Sequence, residues 1–285
     1  MKSKYSEVVA KVVFAATACV SICAVVLICV FLFANAVPAI SEIGLDKFLA
    51  GTSWKPANDV YGILPMILGS LYVTVGALIL GIPVGILTAT YLAFYAGKKV
   101  IKIVNPCVEL LAGIPSVVYG FFGLMIIVPF IRNVFGGTGN SILAASVLLG
   151  IMILQTIITV SYSSLKAIPE SYYEGALALG ATKEQSIFFA VIPAGKSGIT
   201  AGVILALGRA LGETMAVIMV AGNQARLPSG ILKGVRTLTS NIVIEMGYAS
   251  GLHREALIAT GVVLFVFILI INFLFSLLKK QEKNW

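Results

Sequence analysis

Arg209 and Glu213 stand four residues apart in GRALGETMAV, residues 208–217, between the apolar runs ITAGVILAL and IMVAG. A charge pair inside a hydrophobic segment has two uses. It can pin helix packing as a buried ion pair. Alternatively, the arginine attracts an oxyanion while the carboxylate holds its side chain and moderates its charge. On a continuous helix Gly202, Ala206, Arg209 and Glu213 share one face, and Gly208 with Gly212 forms a GxxxG pair that admits another helix closely. Desolvation tends to cancel the attraction within a buried pair, so stability alone is a poor reason to keep one. The anion reading is therefore preferred, with the packing role kept beside it.

Other chemistry is sparse. AVIPAGKS, residues 190–197, imitates a phosphate-binding loop, but Ala190 replaces its first glycine and Pro193 interrupts the turn. Cys19, Cys23 and Cys29 lie in one apolar run and Cys107 opens another, positions where cysteine behaves as a small apolar side chain. No disulfide, metal or cofactor is expected, and no nucleic-acid partner. His253, beside Arg254 and Glu255, reads as a solvated surface residue. A single histidine and scattered carboxylates argue against a membrane-embedded enzyme.

The elements that hold Arg209 and Glu213 follow from composition. Hydrophobic residues make up 59% of the chain and charged residues 11%, too few to solvate a soluble domain of this size. Crossing the hydrocarbon takes about 20 apolar residues. Six stretches qualify: 12–35, 66–92, 108–131, 142–162, 199–222 and 256–278. The first is too long for a signal core and lacks a clean cleavage site, so it is expected to be retained. The expectation is an all-α, multi-pass membrane protein with membrane lipid around it. Residues 1–65 would form a first helix and outer loop, 66–278 a five-helix core and 279–285 a tail. One set of connecting segments carries twelve lysines and arginines and the other seven, which places both termini in the cytoplasm. Gly81, Pro83 and Gly85, and Gly113 and Pro115, read as hinge candidates. Gln155, Thr156 and Thr159 fit either a polar path or interhelical hydrogen bonds. The outer loop with Arg226, Lys233 and Arg236 is basic enough to concentrate anions or dock an acidic protein.

The longest inward segment is 166–198. Ser171 with Glu174 and Thr182 with Gln185 each match a capping box, and Gly180 suits a helix C-terminus. Two short helices, 172–179 and 183–190, are expected on the inner face, placed to dock onto something.

EGALALGATKEQSIFFAVIP, residues 174–193, resembles the EAA loop of ABC-importer permeases. Glu174, Ala176, Gly180 and Pro193 fall in register, while Gly175, Ala190 and Ile192 depart conservatively. NPCVELLAGIPSVVYGFFGL (105–124) and GRALGETMAV are similar to the PstC family of phosphate permease subunits, and the likeness covers nearly the whole chain. The resemblance implies a type I ABC importer permease fold with six transmembrane helices and a cytoplasmic coupling helix. It implies a PstA-like second permease, a PstB-like ATPase dimer and a PstS-like extracytoplasmic binding protein, with inorganic phosphate as cargo. Glu174, Gly175, Ala176, Gly180 and Pro193 would then meet the ATPase, which supplies the nucleotide site this chain lacks, and Arg209 and Glu213 would line the path. A permease of the same type for molybdate, sulfate or phosphonate stays open. A secondary anion transporter is opposed by the EAA register.

Overall fold

Hydrocarbon offers no partner for a peptide N–H or C=O, so long apolar runs satisfy themselves as helices. The computed structural model describes residues 2–282, and helix dominates it. Of the expected tail 279–285, residues 279–282 continue the last helix and 283–285 lie outside the described residues. Helix α1 (Lys2–Ile43) leads into the short α2 (Leu45–Ala50). An antiparallel hairpin follows, β1 (Trp54–Lys55) and β2 (Val60–Tyr61), with Trp54 opposite Tyr61. Next come α3 (Leu64–Phe94), α4 (Lys98–Gly113), α5 (Ser116–Phe122) and α6 (Val128–Phe135), the last two joined through a π turn at Gly123–Ile127. α7 (Ile142–Lys166) precedes the short α8 (Glu170–Ala178) and α9 (Lys183–Gln185). A π stretch at Ser186–Val191 leads to α10 (Ile192–Ala194), α11 (Lys196–Gly212) and α12 (Met215–Val220). After an irregular segment come α13 (Leu238–Glu245) and α14 (Gly251–Glu282).

Among the described residues five runs are long and apolar enough to cross a membrane: Val9–Ile43, Leu64–Phe94, Ser116–Phe135, Ile142–Lys166 and Gly251–Leu274. Lys183–Ala194 and Lys196–Gly212, bent by 67°, make a sixth if taken as one span. Two expected spans are corrected. The third begins at Ser116 rather than 108, because Ile114 precedes Pro115 and adopts extended backbone (φ −73°, ψ 123°), which ends α4. The fifth, expected as 199–222, is interrupted: α11 stops at Gly212 and α12 starts at Met215. The first helix also outruns its expected limit. At 1.5 Å per residue Val9–Ile43 measures roughly 50 Å against about 30 Å of hydrocarbon, so it is far longer than a perpendicular crossing needs.

The two largest apolar clusters among the described residues organise the chain. The larger joins α3, α5, α7, α11 and α12 around Val73, Leu148, Ile153, Ala206 and Val217. Its tightest contact is α3 on α7. A Cβ at Gly81 would lie 2.9 Å from the Ile153 side chain, and one at Gly85 only 2.6 Å from Ile157. These glycines therefore serve close approach, not bending, and α3 runs unbroken through Pro83. At Gly113 and Pro115, by contrast, the helix breaks. The second cluster forms a cap from the end of α1, α2, the hairpin, α13 and α14, around Phe48, Trp54, Ile63, Met66, Leu238 and Leu257.

Candidate functional site

The backbone break in the fifth span decides where Arg209 and Glu213 point. Glu213 is not a helical residue: it is the C-cap of α11, with φ −68° and ψ 131°. It therefore does not share a helical face with Gly202, Ala206 and Arg209, and among the described residues no ion pair joins it to Arg209. Its Oε1 accepts instead from the backbone N–H of Thr214 (3.1 Å) and Ala216 (3.2 Å). A carboxylate in that position suits the positive end of α12 and satisfies donors that the break would orphan.

Arg209, half-buried at the last turn of α11, directs Nη1 to Gln155 Oε1 of α7 at 3.4 Å. Thr156 Oγ1 donates to the same amide oxygen at 3.3 Å, and Tyr119 of α5 lies within electrostatic reach of the guanidinium. Arg209, Gln155 and Thr156 are thus brought together from two helices. A guanidinium carries five donors and, among the described residues, this one makes a single long hydrogen bond, so it is equipped to bind an anion. Gly208 and Gly212 face open space, with nothing within 4 Å of a Cβ built on either.

The 166–198 segment forms the expected helical pair with altered boundaries. Thr182 and Gln185 make both bonds of the capping box, at 2.9 and 3.2 Å. Ser171 and Glu174 do not: Pro169 is the N-cap, α8 starts at Glu170, and Glu174 lies exposed within the helix. Gly180 has φ +86°. Its N–H bonds Leu177 O (2.9 Å) while Ala181 N–H bonds Ala176 O (3.1 Å), the left-handed closure that favours glycine. Gly175 and Pro193 are exposed and Ala176 half-buried. Lys183 Nζ sits 4.4 Å over the Tyr95 ring and ties the segment to the end of α3. Leu179 is 91% exposed and Phe189 79%, so this segment presents apolar side chains that another surface is needed to cover.

A third constellation was not read from the sequence. Glu245, at the end of α13, accepts from Trp54 Nε1 (2.8 Å) and is ion-paired to Arg236, while His253 Nε2 lies 2.9 Å from its Oε2. Arg236 also donates to Asn223 O (3.1 Å) and Asn241 Oδ1 (3.0 Å). Burial alone raises the Glu245 carboxyl pKa, but bonds from Trp54, His253 and Arg236 and the Arg236 charge outweigh it and hold the carboxyl below its usual value. His253 is therefore no solvated residue: it packs among Trp54, Tyr61 and Tyr248 at centroid distances of 6.2, 6.2 and 6.0 Å. Arg236 is likewise committed to the cap, which leaves Arg226 and Lys233 as the exposed cations among the three singled out in that loop. The partners lie 8 to 191 residues apart, so no local pattern marks them. Among the described residues no group of three or more His, Cys, Asp or Glu is arranged to hold a metal.

Comparison with known proteins fits this architecture. The chain is 38% identical over 281 residues to the probable ABC transporter permease protein YqgH of Bacillus subtilis (strain 168), covering 95% of this chain and 91% of the relative. It is 34% identical over 260 residues to the phosphate transport system permease protein PstC of Mesorhizobium japonicum, covering 84% and 79%. A probable PstC of Methanocaldococcus jannaschii is 34% identical over 270 residues, covering 87% and 85%. Among solved structures, a bacterial alginate ABC transporter superposes with a TM-score of 0.63 at 17% identity over 93% of this chain and 94% of that one. The MetNI methionine ABC transporter, inward facing, gives 0.58 at 21% over 78% and 94%. At those identities the likeness concerns the fold, that of type I ABC importer permeases. Residues 81–283 match the family of binding-protein-dependent transport system inner membrane components, and the chain belongs to that family: it is a multi-pass permease subunit of an ABC transporter, not an enzyme.

Proposed function

We propose that this chain is the PstC-like permease of an importer that moves inorganic phosphate into the cytoplasm. It would work with a PstA-like second permease, a PstB-like ATPase dimer and a PstS-like extracytoplasmic binding protein. The observation that carries the reading is Arg209: a permanent cation within an apolar span, not ion-paired to Glu213, whose one hydrogen bond among the described residues is a 3.4 Å contact to a neutral amide. Such a group is costly in a membrane unless it faces protein, water or a counter-ion, and an oxyanion cargo supplies the counter-ion. Relatives named as phosphate permeases support the substrate. The 38% identical relative carries no substrate in its name, so the competing reading is another oxyanion: molybdate, sulfate or phosphonate.

In this reading α8 to α10 form the coupling segment. Glu174, Gly175, Ala176, Gly180 and Pro193 shape it, and exposed Leu179 and Phe189 insert into the ATPase. The lysine distribution supports both termini in the cytoplasm. Residues 1–65 then serve as peripheral helix and outer cap, 66–278 as the core and 279–285 as the tail.

The test is Arg209→Gln in the assembled complex. Glutamine keeps hydrogen bonding but removes the charge an anion needs in a low-dielectric path. Uptake of labelled phosphate should be abolished with normal amounts of complex, and excess molybdate, sulfate or phosphonate should not compete in the unaltered protein. Normal uptake by an assembled Arg209→Gln complex overturns the proposal.

A further inference from the structure

A helix broken inside a membrane leaves backbone groups that water does not reach, and each needs a partner. At the α11–α12 break the accounts can be followed group by group. Thr214 and Ala216 N–H go to the Glu213 carboxylate, and Thr214 Oγ1 donates to Gly212 O at 3.2 Å. The Glu213 carbonyl, turned out of the helix by ψ 131°, accepts from Thr239 Oγ1 at 3.0 Å. Every other group in this set lies within three residues of the break. Thr239 comes from α13, 26 residues later.

Thr239 is itself held. It is 7% exposed, and its Oγ1 lies 3.1 Å from Thr237 Oγ1, which lies 2.8 Å from Ser240 Oγ, with all three residues buried. The adjacent Leu238 N–H donates to Ser70 Oγ of α3 at 2.9 Å, fixing the start of α13 to the core. The far end of α13 is fixed by Glu245 to Arg236, Trp54 and His253. The hydroxyl that donates to the Glu213 carbonyl is thus a rigid point on α13.

We propose that Thr239 is a positioning residue for the substrate path: its hydroxyl keeps Glu213 out of the helix and so sets the direction of α11's last turn, where Arg209 projects. This rests on the reading that Arg209 meets the transported anion. Without the hydroxyl, Glu213 O has no partner in its present conformation. Its relief is to return to helical geometry, joining α11 to α12 and turning the Arg209 end away from Gln155.

Thr239→Val keeps the shape and removes the donor, while Thr239→Ser keeps the donor. Reconstituted complexes should show phosphate uptake per assembled complex reduced about tenfold in Thr239→Val, the scale of one orphaned carbonyl. ATP hydrolysis should continue, so that ATP consumed per phosphate rises, and Thr239→Ser should restore the ratio. A merely structural contact would lower the amount of complex and leave that ratio unchanged. Normal uptake per complex in Thr239→Val, a Thr239→Ser as defective as Thr239→Val, or loss of the assembled complex each overturns the inference. Arg209→Gln run in parallel separates the two claims: if it transports normally the path reading itself fails, whatever Thr239 does.

Discussion

Arg209 and Glu213, four residues apart, do not pair: the arginine reaches across to Gln155 at 3.4 Å, while the glutamate caps α12 through Thr214 and Ala216 at 3.1 and 3.2 Å. Consequently neither residue is the other's counter-charge, and removing one does not strand its neighbour as a buried unpaired ion. Glu213→Gln keeps an amide oxygen for both N–H groups and should assemble normally. Its cost should be about 0.3–1 kcal/mol from the lost charge at the helix N-terminus. Glu213→Ala removes the acceptor as well and should cost about 1 kcal/mol more. Measured per assembled complex, uptake should fall in the order wild type, Glu213→Gln, Glu213→Ala. Equal and complete loss in both variants would show that the charge, rather than the cap, is what transport needs.

What was legible in the sequence was local or periodic. Thr182 and Gln185 close a capping box because every atom involved lies within one turn. Ser171 and Glu174 match the same pattern, but Pro169 already provides the extended residue before a helix and moves the start to Glu170. Hydropathy found the apolar runs yet passed over Pro115, whose effect falls on the preceding Ile114 backbone. Arg209 and Glu213 imitate a helical pair because the break between them is completed by Thr239, far along the chain. The Glu245 constellation was invisible for the same reason, since Trp54 joins it from 191 residues away.

Gly180 gives a clean test of the proposed coupling segment. Its φ of +86° is the left-handed region, and nothing lies within 4 Å of a Cβ built there, so substitution meets backbone strain and no clash. Gly180→Val should cost roughly 1–2 kcal/mol locally and distort the turn between α8 and α9. The variant should remain in the membrane in normal amounts while ATPase co-purification and uptake fall together. Gly180→Asn, which tolerates that conformation better, should retain most of both. An ATPase that co-purifies normally with Gly180→Val, with full transport, would remove this turn from the coupling mechanism.

The Glu245 clasp predicts a pH response of the cap built on α13, the hairpin and α14. The Glu245 side chain is 8% exposed and that of Arg236 15%, so the pair is largely shielded from solvent. Burial pushes the carboxyl pKa up, and the bonds from Trp54, His253 and Arg236 together with the Arg236 charge bring it below its usual value. Because the folded value lies below the unfolded one, about 4.3, the stabilisation is fully present above that pH and is lost as pH falls through the folded value. Acidification from neutrality to the ordinary carboxylate range should therefore leave the cap intact, and loosening should begin only at lower pH. Trp54 reports it directly, since its indole N–H bonds the titrating oxygen. In a Trp285→Phe background, Trp54 emission should stay constant from neutrality down to that range and then shift to the red as the indole loses its partner. Glu245→Gln should abolish the acid step and lower thermal stability at neutral pH, because Arg236 then lacks its counter-charge. An unchanged acid step in Glu245→Gln would assign the transition to another carboxylate and remove Glu245 as the group that fastens the cap.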